Sequence, residues 1–195
     1  APSGPSGQVS QIPDQFRTSS EAAQAVAQMT RTMEPVADRE CRARTRGVNC
    51  DFRILVDDRR SQPPNAYQTL DDNDRPIIAF TIRLIEDARN VDELAFVMAH
   101  EAAHHIAGHI GRQRENALAG AVIFGGLATL SGGDSKEFEL EADALGTIIT
   151  ARAGYDPLRG AEFFNRIPDP GNRFLGTHPP NAQRIETVRR TAAQL

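Results

Sequence analysis

The chain has 195 residues, 39% hydrophobic and 25% charged, which suits one globular domain with a buried core. A net charge of −4 and a pI near 5.7 provide no basic excess to attract nucleic acid. No run reaches the roughly 18 apolar residues of a membrane-spanning helix.

Residues 1–20 are rich in Pro, Ser and Gly, lack apolar periodicity and read as a flexible leader. That leaves 21–195 as the folded domain. A start at Ala1 fits a periplasmic or secreted protein whose signal peptide has been removed, and equally a trimmed chain. Cys41 and Cys50 are compatible with a disulfide in an oxidising compartment; the alternative is two free thiols.

A first helix is expected from Ser20, as its cap, to about Thr45, with Ala22, Val26, Met29, Met33 and Val36 on one face and Pro35 as a kink or break. Asp51 to Asp57 alternates as a strand, Ala66 to Leu70 reads as a second, and Pro76 to Ile85 as a third or as a strand running into a helix. Together they predict a small antiparallel meander. A helix opened by Asn90 runs from Val91 to about Arg114 and is apolar all round from Leu94 to Ala99. Ala117 to Leu130 is Gly-rich and apolar: a core hairpin, a lid, or a peripheral membrane contact. A Ser-Gly-Gly-Asp loop precedes a helix from Lys136 to Ala153, ended by Gly154. A short helix at Leu158 to Ile167, a Pro- and Gly-rich loop to Pro180 and an amphipathic helix from Asn181 to Ala193 complete the chain.

The chemistry concentrates at His100-Glu101-Ala102-Ala103-His104. Helical residues four apart project together, so His100 and His104 can share one zinc ion. Glu101, on the neighbouring position, can take a proton from an attacking water and pass it to a leaving amine. Three polar groups in so apolar a helix are costly without a partner, which a metal would be. The downstream helix offers Glu137, Glu139, Glu141 and Asp143 as a third ligand. Glu139 and Asp143 share a face, as suits one carboxylate on metal and one orienting a ligand imidazole. His105 and His109 are expected to point well off the His100/His104 face.

These motifs, with His109 five residues after His104, His178-Pro179-Pro180, Arg184 and the pair Asn65-Ala66, resemble the gluzincin family that includes the CAAX prenyl protease, HtpX and the BepA-type proteases, in which a histidine at the place of His109 is frequent but is not counted as a ligand. The likeness covers roughly 35–190. It implies an α+β, zincin-like fold, mainly helical, with a small antiparallel sheet beside the zinc-binding helix. It implies one zinc on His100, His104 and Glu139, Glu101 as general base, and Asp143 as a partner of the ligands. It also implies His178 near the metal as an oxyanion helper or occupant of the open position, Arg184 as an anchor for acidic groups, and an edge strand at Asn65 and Ala66 that pairs with an extended substrate. The membrane members' spanning helices have no counterpart here.

The expected activity is endopeptidase cleavage of polypeptides, by resemblance of unfolded or misassembled envelope proteins. A metal-binding quality-control or chaperone module with a plugged zinc site is the first alternative. A hydrolase of non-peptide amides is the second.

Overall fold

The computed structural model describes residues 18–109, 132–166 and 179–195. Nearly all of the expected leader, residues 117–130 and His178 lie outside the described residues.

Helix α1 (Ser19–Arg44) buries Ala22, Val26, Met29, Met33 and Val36. Its cap is Thr18 rather than Ser20: the Thr18 hydroxyl accepts from Glu21 N at 3.1 Å. Pro35 does not split the helix. It is exposed, so water can take the carbonyl that its ring displaces.

Strands β1 (Arg53–Asp57), β2 (Ala66–Leu70) and β3 (Pro76–Thr81) form one sheet in the order β1-β3-β2. β3 runs antiparallel to β2 but parallel to β1. The sheet is therefore mixed, which corrects the expected antiparallel meander. The cause is burial. Ile78, Ala79, Phe80 and Thr81 are all buried, whereas β1 and β2 leave Leu55, Val56 and Tyr67 exposed. The most apolar strand takes the centre, and the chain must cross it between β1 and β2.

The two sheet edges differ. Beyond β1, the N–H groups of Phe52 and Ile54 donate to Asp38 (3.3 Å) and Glu34 (3.1 Å) of α1. That edge is capped by side chains; β2 forms the other.

β3 passes directly into α2 (Ile82–Asp87), with Thr81 as its N-cap. Helix α3 (Val91–Ile106) starts at Asn90, whose side chain accepts from Glu93 N at 3.0 Å. It stops at Ile106, short of Arg114, and Gly108 turns the chain at φ 67°. Helix α4 (Gly132–Arg152) begins within the stretch expected to be a Ser-Gly-Gly-Asp loop. A short helix α5 (Pro157–Ala161), a 3-10 turn (Glu162–Asn165) and α6 (Asn181–Ala192) follow.

Helix α3 is the hub. It packs on α1, α4, α5 and the sheet, and Leu94, Ala95, Met98 and Ala99 are buried among Met29, Met33, Ile78, Phe80 and Ile149. Each large apolar side chain contributes roughly 1.5–3 kcal/mol. Helix α4 comes close because Gly146 lies against α3: a Cβ there would stand 3.1 Å from His100 N and 3.2 Å from His100 Cα. A disulfide joins Cys41 at the end of α1 to Cys50 before β1. Closing so short a loop adds somewhat under ~3 kcal/mol in the chain-entropy model. Among the described residues no helix is long and apolar enough to cross a membrane.

Candidate metal centre

His100 and His104 stand one turn apart on α3, with their Nε2 atoms 3.0 Å from each other. Helix α4 brings Glu139 against both: Oε2 is 3.4 Å from His100 Nε2 and Oε1 is 3.3 Å from His104 Nε2. One donor atom from each of the three residues lies within 4.8 Å of the others.

The outer faces of both imidazoles are engaged. His100 Nδ1 is 2.9 Å from Asp143 Oδ1. Asp143 also takes two bonds from Arg184 of α6, at 2.8 Å each. Arg184 Nη2 reaches Glu139 Oε2 at 3.2 Å, and its guanidinium lies 4.0 Å above the Phe164 ring. The last helix is thereby tied to the cluster.

On His104, Nδ1 meets His109 Nδ1 at 2.7 Å, and His109 Nε2 meets Glu141 Oε2 at 3.1 Å. This corrects the expectation that His109 points away. Extending α3 past residue 106 misplaces it; the helix ends, and the left-handed Gly108 folds the chain back so that His109 is buried beside His104. The legible signal was Gly108, a residue that ends helices. His105 does face elsewhere: its Nε2 bonds Asn49 O at 2.7 Å and its ring meets Phe52 edge-on.

Glu101 is only partly buried and lines a cleft of about 1030 Å³, together with His100, His104, Glu139 and Arg184. Asn65, Ala66 and Tyr67 line the same cleft. Asn65 is held by Thr81: its N–H donates to the Thr81 hydroxyl at 2.8 Å, and its carbonyl accepts from Thr81 N at 2.9 Å. The start of β2 is thus held on the cleft's rim. His178 lies outside the described residues.

The electrostatics favour a cation. Burial alone would lower the His100 pKa, but the Glu139 carboxylate and the Asp143 hydrogen bond outweigh it and raise it to about 10. Burial raises the Glu101 carboxyl, opposed by the two histidines. Asp143 is held below the ordinary carboxylate range: burial opposes this, but the Arg184 and His100 hydrogen bonds prevail. The cluster thus keeps a positive charge between its carboxylates. Two imidazole nitrogens and a carboxylate are donors that zinc takes, and three of them leave a coordination position open. The residues fit zinc.

Comparison with known proteins points to a family of peptidases. The model of peptidase family M48 matches residues 23–192. The chain is 30% identical over 128 residues to the mitochondrial metalloendopeptidase OMA1 of Saccharomyces cerevisiae, covering 51% of this chain and 36% of that protein. It is 31% identical over 149 residues to a Vibrio cholerae protein named "Putative beta-barrel assembly-enhancing protease", covering 60% of this chain and 31% of the other. The chain therefore spans about a third of the length of these relatives.

Proposed function

Because the chain belongs to peptidase family M48, we propose that it is a zinc-dependent endopeptidase in which His100, His104 and Glu139 hold one zinc ion and Glu101 is the general base. The observation that carries this reading is the convergence of the three donors within 4.8 Å in a cleft that Glu101 also lines. Zinc bound there supplies a Lewis acid that polarises a peptide carbonyl and brings the pKa of a water to about 7.

The protein's own groups do the rest. Glu101 takes the proton of the attacking water and returns it to the amine nitrogen as the C–N bond breaks. A carboxyl pushed up by burial suits a group that must hold a proton briefly. Asp143 and Arg184 hold the His100 ring and the Glu139 carboxylate in place. The substrate lies extended along β2, the edge that α1 leaves uncapped, and pairs its backbone with Ala66 to Leu70. His178 is assigned to the developing oxyanion by the family resemblance. Unfolded or misassembled envelope proteins are the proposed substrates, in the periplasm or outside the cell. The Vibrio cholerae relative's name and the Cys41–Cys50 disulfide support that setting.

The test is zinc content together with casein cleavage, for the wild type and Glu101→Gln. Both hold about one zinc, and the variant loses at least ~10²-fold in cleavage. Zinc in both proteins with cleavage by neither moves the assignment to a metal-binding chaperone. A wild type that takes up no zinc removes the assignment entirely.

A further inference from the structure

His109 is buried, with its ring stacked on Phe138 of α4 at 4.5 Å between centroids and 15° between planes. It stands between His104 and Glu141, 2.7 Å from the one and 3.1 Å from the other. An imidazole that gives its Nε2 lone pair to a metal carries its proton on Nδ1. Since His104 Nε2 faces His100 and Glu139, its Nδ1–H points at His109 Nδ1. Two protonated nitrogens cannot face each other at that distance, so His109 Nδ1 is the acceptor. The His109 proton then sits on Nε2 and is donated to Glu141.

We infer that His109 is a positioning residue for zinc: with Glu141 behind it, it fixes the tautomer and ring orientation of His104, as Asp143 does for His100. Each histidine of the cluster thus has a carboxylate behind it, reached directly from His100 and through a second imidazole from His104. Helix α4 supplies Glu139, both carboxylate partners and the Phe138 stacking surface, so the packing of α3 on α4 sets all of these contacts together. The inference rests on the reading of His104 as a zinc ligand.

The experiment measures zinc affinity of the whole chain by competition with a fluorescent chelator, for the wild type, His109→Phe and His109→Asn, with the Tm of each zinc-free protein. Phe keeps a ring on Phe138 but offers no acceptor, and weakens zinc about 10–100-fold. Asn loses the ring but places an oxygen near the lost Nδ1, and retains clearly more affinity than Phe. A role in packing alone gives the reverse order. Wild-type affinity in His109→Phe, or His109→Asn binding no better than His109→Phe, overturns the inference and leaves the zinc site standing. A wild type that binds no zinc overturns the proposed function as well. If neither variant folds, ¹⁵N spectra of the zinc-loaded wild type decide: protons on His104 Nδ1 and His109 Nε2 support the inference, and a proton on His109 Nδ1 overturns it.

Discussion

Arg184 and Asp143 form a two-pronged ion pair in which both side chains are buried, Nε to Oδ2 and Nη2 to Oδ1 at 2.8 Å each. Asp143 Oδ1 is shared with His100 Nδ1 at 2.9 Å. One carboxylate therefore joins the C-terminal helix to the metal centre. Desolvating such a pair is costly, and removing one partner leaves a buried charge exposed to that cost.

Arg184→Met is expected to destabilise the zinc-free protein by about 3–5 kcal/mol. Adding Asp143→Asn recovers part of the loss, because the stranded negative charge is gone. Urea unfolding of the two variants measures this. A loss below ~1 kcal/mol for Arg184→Met would mean that the pair behaves as a solvent-exposed one.

Gly146 sets how closely α4 approaches His100. Alanine inside a helix usually gains up to ~1 kcal/mol over glycine. Here the new Cβ would meet backbone atoms of Ala99 and His100 at 3.1–3.3 Å, and backbone cannot swing aside. Overpacking costs ~1–3 kcal/mol, so Gly146→Ala is expected to be net destabilising and to weaken zinc by moving Glu139 and Asp143 away from α3. Unfolding and chelator competition on one variant test both. A stabilised protein with unchanged affinity would show that α3 and α4 can separate freely.

Zinc uptake is expected to release a proton. His100 is raised from 6.5 to about 10 in the zinc-free protein, so it is protonated at neutral pH and must lose that proton to bind metal. From this group alone, affinity rises about tenfold per pH unit until pH nears 10. Its stability contribution has the sign of a raised pKa: it is complete below 6.5 and is lost as pH climbs through about 10. Asp143, with a lowered pKa, contributes above its ordinary value of 3.8, and that stability is lost as acid protonates it in the fold. Calorimetric zinc titration in buffers of different protonation heat counts the protons. A count of zero contradicts the charge assignment at His100.

Reducing the Cys41–Cys50 disulfide, or replacing both cysteines by serine, is expected to cost about 2–3 kcal/mol and to leave zinc affinity within about threefold, because the segment it closes bonds His105 rather than a metal donor. Thermal unfolding with and without a reductant, alongside zinc titration, checks this. A collapse of zinc binding on reduction would show that the Asn49–His105 contact carries the bridge's influence into α3.

Most of the helices and β2 could be read from local pattern. The 3.6-residue apolar recurrence of α1, the Asn90 cap of α3 and the stop at Gly154 are contained in a few neighbouring residues. The approach of His100 to His104 was legible for the same reason, since both stand on one helix. Sheet order was not legible. That β3 lies between β1 and β2, and the direction in which each pairs with it, depend on which strand is most buried, and that depends on α3 packing over it.

The sequence by itself determined which chemical groups are present and which of them share an element: two imidazoles and a carboxylate on α3, and a carboxylate pair four residues apart on α4. Only the tertiary structure decided which groups from different elements meet: Arg184 with Asp143, His109 with His104, Gly146 against His100. Helical periodicity fixes directions over a turn or two. Contacts between residues 40 or more positions apart depend on how whole helices pack, and a single glycine that ends α3 is enough to turn a histidine from the expected outer face into the centre.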